Sequence, residues 1–323
     1  AIISFLTVWE EQADSRNVTM NSIKTDPVRT RKVVQKLIEW YKIHDGIFTG
    51  YLPESKPPNG VSRGSYEHIM FLTLSVSLDY QRSANDLWDS ARKTWESGDT
   101  SWVFSPKKVE ERDEQDLIDA LAKHKLSRKR NKDAKIWRKV SLSFLKLFDG
   151  DPRKLFEKYD YDAVKIFNAM RTQYGKEFPY LAGSTGTQKI CSLWIRMLKD
   201  EASVKFKNLN NVPIPIDIHT ARSTVTTGCV SGRFDGSFSD LTDLAKKAWV
   251  EACIGMDYYP LQLDEPLWNL SRFGCSKHVN GSPCPVRQDC RLSEFCTANH
   301  PDSIISIKQN ENTHIDTKFP ESE

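Results

Sequence analysis

Four cysteines, one aspartate and a glycine-bracketed turn are the parts of this 323-residue chain whose types and spacing could do chemistry. Cys275, Cys284, Cys290 and Cys296 fall within 22 residues in the pattern C-x8-C-x5-C-x5-C, while Cys191, Cys229 and Cys253 are scattered. A disulfide framework spreads its cysteines along a small secreted domain, so four in one short run read better as metal ligands. Zinc sites favour close C-x2-C pairs, which this run lacks. The wider spacing suits a [4Fe–4S] cluster at least as well, and both metals stand as candidates.

The aspartate is Asp217, in Val212-Pro213-Ile214-Pro215-Ile216-Asp217-Ile218-His219. Two prolines hold the segment extended and set one carboxylate between isoleucines where a helix should begin. A helix N-cap accounts for such a residue, at about 1 kcal/mol. The chemical alternative is a carboxylate aimed into a pocket, where it stabilises a sugar cation or orients water against it. The two roles are compatible. His219 fits a structural hydrogen-bonding histidine better than a base.

The turn is Leu181-Ala182-Gly183-Ser184-Thr185-Gly186-Thr187-Gln188-Lys189, ahead of the apolar stretch Ile190–Leu198. Backbone N–H groups of a tight turn opening a helix suit a phosphate, although many such turns only join helices.

The elements that must position these residues are helices. Val33, Val34, Leu37, Ile38 and Tyr41 follow Asp26-Pro27 at helix spacing. Further helical periods run over Ser65–Leu78, Ser83–Trp95, Glu114–Ala122, Ala134–Phe148, Asp151–Tyr159 and Asp162–Arg171. Ile136, Val140, Phe144 and Leu147 make one apolar stripe, read as core. Period-two alternation is missing almost everywhere, which predicts an all-α chain. Divisions are expected at 1–60 (an extension with one helix, packed on the cysteine-containing lobe), 61–180 (a helical barrel) and 181–228 (turn and aspartate). They continue with 229–299 (helices and cysteine module) and 300–323 (a flexible tail). Between Lys123 and Lys139 nine Lys/Arg face one acid, Asp133, in a chain of net charge only +3. That run is either a solvated helix face or a phosphate-facing surface. The start lacks a signal-peptide pattern and no run of 18 apolar residues exists, so an intracellular monomer away from membranes is expected.

Turn, aspartate and four cysteines, in this order, resemble the endonuclease III branch of the helix-hairpin-helix DNA glycosylase superfamily. That family carries Leu-Pro-Gly-Val-Gly-x-Lys, then Val-Asp-x-His, then C-x6-C-x2-C-x5-C. The matches are Leu181, Gly183 and Gly186, then Asp217 and His219, then all four cysteines, with Trp268-Asn269-Leu270 and Gly274 leading into Cys275. The similarity reaches back to about Ser65 and leaves out residues 1–60. Ala182 stands where the family has proline, the hairpin has an extra residue, and the stretch from hairpin to Asp217 is longer.

The resemblance implies a two-lobed helical fold with a DNA groove between the lobes and a C-terminal [4Fe–4S] cluster. It implies a DNA glycosylase acting on double-stranded DNA that contains a damaged or mispaired base. Gly183, Ser184, Thr185, Gly186, Thr187 and Gln188 would grip a phosphate, and Asp217 would drive N-glycosidic cleavage. Gln81, with Tyr80 and Arg82 beside it, would fill the gap left by the extruded nucleotide, or be an ordinary turn between helices. The cluster would brace a basic loop carrying Lys277 and Arg287 against the backbone. Strand-cutting members form a Schiff base with a lysine two residues after the second glycine, and here that position is Gln188. Lys189, one residue on, is rotated by roughly 100° and is expected to point away. A monofunctional enzyme using water is therefore expected, with Lys189 as lyase nucleophile the alternative. A non-catalytic DNA-binding protein is a third.

Overall fold

The computed structural model describes residues 22–182, 189–279 and 282–319. It is mostly helical, with a few short strands. Helices begin where the sequence supplies caps. In α1 (Pro27–Lys42), the Asp26 carboxylate accepts the Arg29 N–H at 3.0 Å and proline occupies the first position. Ser65 and Ser83 cap α2 (Tyr66–Val76) and α3 (Ala84–Glu96) in the same way.

Two separate hydrophobic cores organise the described residues. The first is built by α2 and α3 with α4 (Pro106–Glu111), α5 (Glu114–Lys123), α6 (Arg130–Phe148), α7 (Pro152–Lys158), α8 (Ala163–Thr172) and α9 (Lys189–Asp200). Aromatic rings fill it, and their polar edges find partners: Trp137 donates to the Val103 carbonyl at 2.8 Å and Trp194 to Thr73 at 2.9 Å. The second core joins α1 to α10 (Ile218–Thr226), α11 (Phe238–Cys253) and α12 (Asp264–Leu270), and it reaches Leu292 and Phe295 in the cysteine-bearing segment.

From residue 22 the chain therefore runs in the second core, crosses to the first, and returns. The return crossing is the proline segment: Val212 is buried in the first core, Ile214 and Ile216 in the second. Pro213 and Pro215 keep it extended, so the change of core takes a few residues and delivers Asp217 at the seam. This boundary cuts the expected 181–228 unit in two. The outward crossing, near residues 49–65, is not a loose linker. Glu54 is buried there. Gly64, at φ +76°, lies so near the Ala202 carbonyl that an added Cβ would sit 2.8 Å from its oxygen. The long stretch before Asp217 packs on the first core, where Lys207 exchanges backbone hydrogen bonds with Tyr161 and Ala163.

The expected flexible tail is corrected by the structure. β4 (Ile304–Ser306) and β5 (Thr313–Asp316) form an antiparallel sheet with β3 (Arg233–Gly236) in the order β3-β5-β4, and a second small sheet pairs β1 (Lys24–Thr25) with β2 (Val230–Ser231). Ile305, Ile307 and Ile315 are buried against the second core. Strands of three or four residues offer one or two inward positions each, too few for a period to show in the sequence.

Ile315 is fully buried at the centre of this sheet. Ile315→Ala is expected to cost about 2–5 kcal/mol in chemical denaturation. A loss below about 0.5 kcal/mol would show that the C-terminal strands do not pack on the body.

Candidate functional site

Lys189 opens α9 in the first core and Asp217 caps α10 in the second, so the seam brings together residues from both sides. The Asp217 Oδ1 accepts the Thr220 N–H at 2.8 Å, and its Oδ2 has no hydrogen-bond partner among the described residues. The Lys189 ammonium lies 3.7 Å from Asp79, at the end of the turn after α2, with a quarter of its side chain exposed. Burial works against the ammonium, but Asp79, Asp217 and Asp264 outweigh it and hold the lysine pKa above its ordinary value. The expectation that Lys189 points away is thus corrected. The residue is the first of its helix, and the Asp79 carboxylate holds the end of its long side chain at the seam. His219 is half-buried beside this group, its Nδ1 3.3 Å from the Ser271 hydroxyl and its ring 5.6 Å from that of Trp268. Burial lowers its pKa more than Asp217 raises it.

Two turns after Lys189, on the same face of α9, Arg196 is buried with 3% of its side chain exposed. It pairs with Glu54 from the outward crossing, with Asp264 at 3.0 Å from α12, and with Glu201 at 3.6 Å. Three carboxylates on one guanidinium leave an excess of buried negative charge. Burial pushes the Asp264 carboxyl up to about 7; Asp217 and Glu54 add to this and Arg196 opposes it.

From Asp264, α12 runs past His219 and ends in a π-turn over Ser271–Cys275. Such turns often mark functional sites because they realign the following side chains. Gly274 lets this turn meet the later loop, since a Cβ there would lie 2.7 Å from Val286. Cys275, Cys284, Cys290 and Cys296 all line one small cavity, partly open to solvent, together with Thr226, Leu270 and His278. Among the described residues no group of three or more His, Cys, Asp or Glu converges to hold a single metal ion. Burial raises the Cys275 thiol well above its ordinary range, and the other three cysteines push the same way. Burial also holds Cys290 at about 11 and raises Cys296. Four neighbouring sulfurs can become thiolates together only around a cationic centre. Lys277 and Arg287 are exposed, Arg287 on the cavity rim.

The connector after α2 stands at the other end of the seam. Gln81 is exposed at its tip with φ +52°, and its side-chain oxygen accepts from Lys129 at 2.9 Å. Arg82 is half-buried and donates to the Leu126 carbonyl at 2.6 Å, which ties it into the protein rather than leaving it free for a ligand. Gly183, Ser184, Thr185, Gly186, Thr187 and Gln188 lie outside the described residues. No described helix is long and apolar enough to cross a membrane.

The structure therefore gathers Lys189, Asp217 and the unforeseen Asp79 and Asp264 at the seam, and the four cysteines in a separate cavity. In the sequence Asp79 is a connector acid and Asp264 an acid in the first turn of a helix, both commonplace, so no local signal marks them. No family model and no curated protein matches this chain.

The raised Asp264 pKa has a signed consequence. The folded state holds a proton that an unfolded aspartic acid, with a pKa near 3.9, has already lost, so folding free energy weakens as pH rises from about 4 to 7. Melting temperature should fall by a few degrees over that window, and Asp264→Asn should flatten the slope. An unchanged slope in the variant would assign the effect to other groups.

Proposed function

We propose that this chain is a DNA base-excision glycosylase of the helix-hairpin-helix class, with Lys189 and Asp217 as its reacting groups. The observation that carries this is one amine, paired with Asp79 at 3.7 Å, held in the field of a carboxylate 28 positions away in sequence, across the seam between two cores. An extruded nucleotide would place its C1′ between them. Unstacking costs a few kcal/mol, least at damaged or mispaired bases, which gives part of the selectivity.

As the N-glycosidic bond breaks, its electron pair leaves with the base and positive charge develops on the sugar. The uncommitted oxygen of Asp217 stabilises that charge, while Thr220 holds the other oxygen and fixes the carboxylate. Lys189 must shed a proton before its Nζ can bond to C1′. Asp79 or Asp217 is the acceptor, and the departing base takes up a proton in turn. Loss of a further proton from nitrogen frees its electron pair to form the C=N bond as C1′–O4′ breaks, and a proton passes to O4′, leaving the ring-opened sugar as a Schiff base. A second reading has water attack with Lys189 as a fixed cation, and the carboxylates that hold the ammonium charged favour it.

The cysteines fit a [4Fe–4S] cluster better than zinc, because they surround a cavity without converging on one centre. Cys275, Cys284, Cys290 and Cys296 would hold it, and when bound it supplies bracing rather than chemistry on the base. Through the π-turn it would steady α12, and with it the His219 contact beside Asp217. It would also present Lys277 and Arg287 to the DNA backbone.

Asp217→Asn separates chemistry from capping, because asparagine caps a helix about as well as aspartate. Base release from the correct lesion duplex should fall by at least about 100-fold with fold and DNA affinity retained. Near-wild-type release would remove Asp217 from the mechanism. Borohydride should trap a covalent protein–DNA complex that disappears in Lys189→Gln; base release without trapping would select the water route.

Aerobically purified protein should be brown, with about four irons and four sulfides per chain. Stoichiometric zinc without sulfide would overturn the cluster.

A further inference from the structure

The basic run from Lys123 to Lys139 takes no part in the chemistry at Lys189 and Asp217, and it is built unlike an ordinary solvated face. Its one acid, Asp133, is turned inward. The carboxylate accepts the backbone N–H groups of Arg128 at 2.7 Å and Lys129 at 2.8 Å, and the Tyr80 hydroxyl. Lys125, Arg128, Lys129, Lys132, Lys135 and Lys139 are left exposed, with no carboxylate partner among the described residues. Arg128 and Lys129 instead bond Gln81, which locks this loop to the connector.

Beside these cations, Tyr80 and Tyr180 stack with centroids 5.5 Å apart and planes at 24°. The Lys132 ammonium lies 5.1 Å from one ring centre and 5.2 Å from the other, and Lys129 lies 5.5 Å from Tyr80. The pair adjoins the seam: Tyr80 follows Asp79, the partner of Lys189, and Tyr180 lies shortly before residues 183–188. An exposed ammonium over an aromatic ring is held weakly, and stacking of a nucleobase on the same ring is stronger. A base can therefore displace the lysines from the rings, and the released ammonium groups are then beside its phosphates. Lys132, Lys135 and Lys139 recur along one face of α6, so the charge continues as a track.

We infer that this surface is a second nucleic-acid contact, in which Tyr80 and Tyr180 receive an unpaired base of a DNA strand flanking the site while Lys129, Lys132, Lys135 and Lys139 follow its phosphates. The base must be unpaired because bases within a duplex present their faces to one another rather than to the protein. The inference takes from the glycosylase reading only that the nucleic acid is DNA.

The test uses fluorescence anisotropy of the full chain on undamaged DNA, comparing a labelled duplex carrying a short unpaired bulge with the same duplex fully paired. Wild type should bind the bulged form about tenfold more tightly. Tyr180→Ala should lose that preference and Tyr180→Phe keep it. Combined Lys132→Gln, Lys135→Gln and Lys139→Gln should weaken binding to both forms. Those three changes should also flatten log affinity against log salt by about 0.7–0.9 per lost phosphate contact. The lysines are exposed, so this variant folds whatever becomes of the tyrosine. A wild type without preference, a preference intact in Tyr180→Ala, or an unchanged salt slope in the lysine variant overturns the inference. Base release from lesion duplexes is read separately. Binding effects without any release leave this surface standing and sink the glycosylase, whereas release with unaltered binding in the variants sinks this surface alone.

Discussion

A single buried guanidinium carries the arrangement of this molecule. Arg196 is charged at any accessible pH, and a charge so fully removed from water persists only where carboxylates and hydrogen bonds replace its hydration. Here the replacements come from three places: Glu54 on the outward crossing, Glu201 beyond the end of α9, and Asp264 on α12 of the other core. Removing any one of them would leave Arg196 less neutralised in a dry site, so the two cores are coupled by electrostatics as well as by packing. Such a pair adds little net stability over well-packed apolar residues, but it strongly penalises every arrangement in which the partners are apart.

The arrangement of the seam follows from that coupling. Lys189 and Arg196 sit two turns apart on one helix, so the anchor that holds Arg196 to Asp264 also fixes the helix from which Lys189 reaches Asp79. The same α12 touches His219 through Trp268, and the π-turn that follows touches it through Ser271 and leads into Cys275. One short helix thus contacts the amine side, the carboxylate side and the cysteine cavity. A group bound by the four sulfurs would brace the reacting residues without approaching them. This separation is why loss of the cluster and loss of Asp217 are distinguishable defects in the proposed enzyme.

Much of the framework was legible in residue order. Helix positions followed from apolar spacing and from caps such as Asp26, Ser65 and Ser83, because those signals act within a turn or two of chain. The cysteine run was conspicuous for a similar reason: its four sulfurs are close in sequence and need only a short loop to line one cavity. Asp217 stood out because prolines and isoleucines isolate it, and its capping role is the local one expected. Three features were not legible. The C-terminal strands are too short to show alternation. Arg82 was a candidate beside Gln81 for the gap left by an extruded nucleotide but is tied to the carbonyls of a loop more than 40 positions away. Lys189 seemed turned outward when judged by helix rotation alone.

The case of Lys189 shows where the division falls. Rotation per residue is a backbone property and was correctly counted, but it fixes only where Cβ points. A lysine has four further rotatable bonds, and their outcome depends on charges that the chain contributes at 79, 217 and 264. Those positions are neighbours only because two cores close on each other across an extended proline crossing. Sequence by itself determined the helices, their caps, the isolated carboxylate and the clustered thiols, since each depends on interactions reaching a few residues. The seam, the acids that surround Lys189 and the inward turn of Asp133 that leaves a bare cationic face were decided by tertiary structure. Burial and Coulomb attraction act through space, and residue order alone carries no distance between residues so far apart.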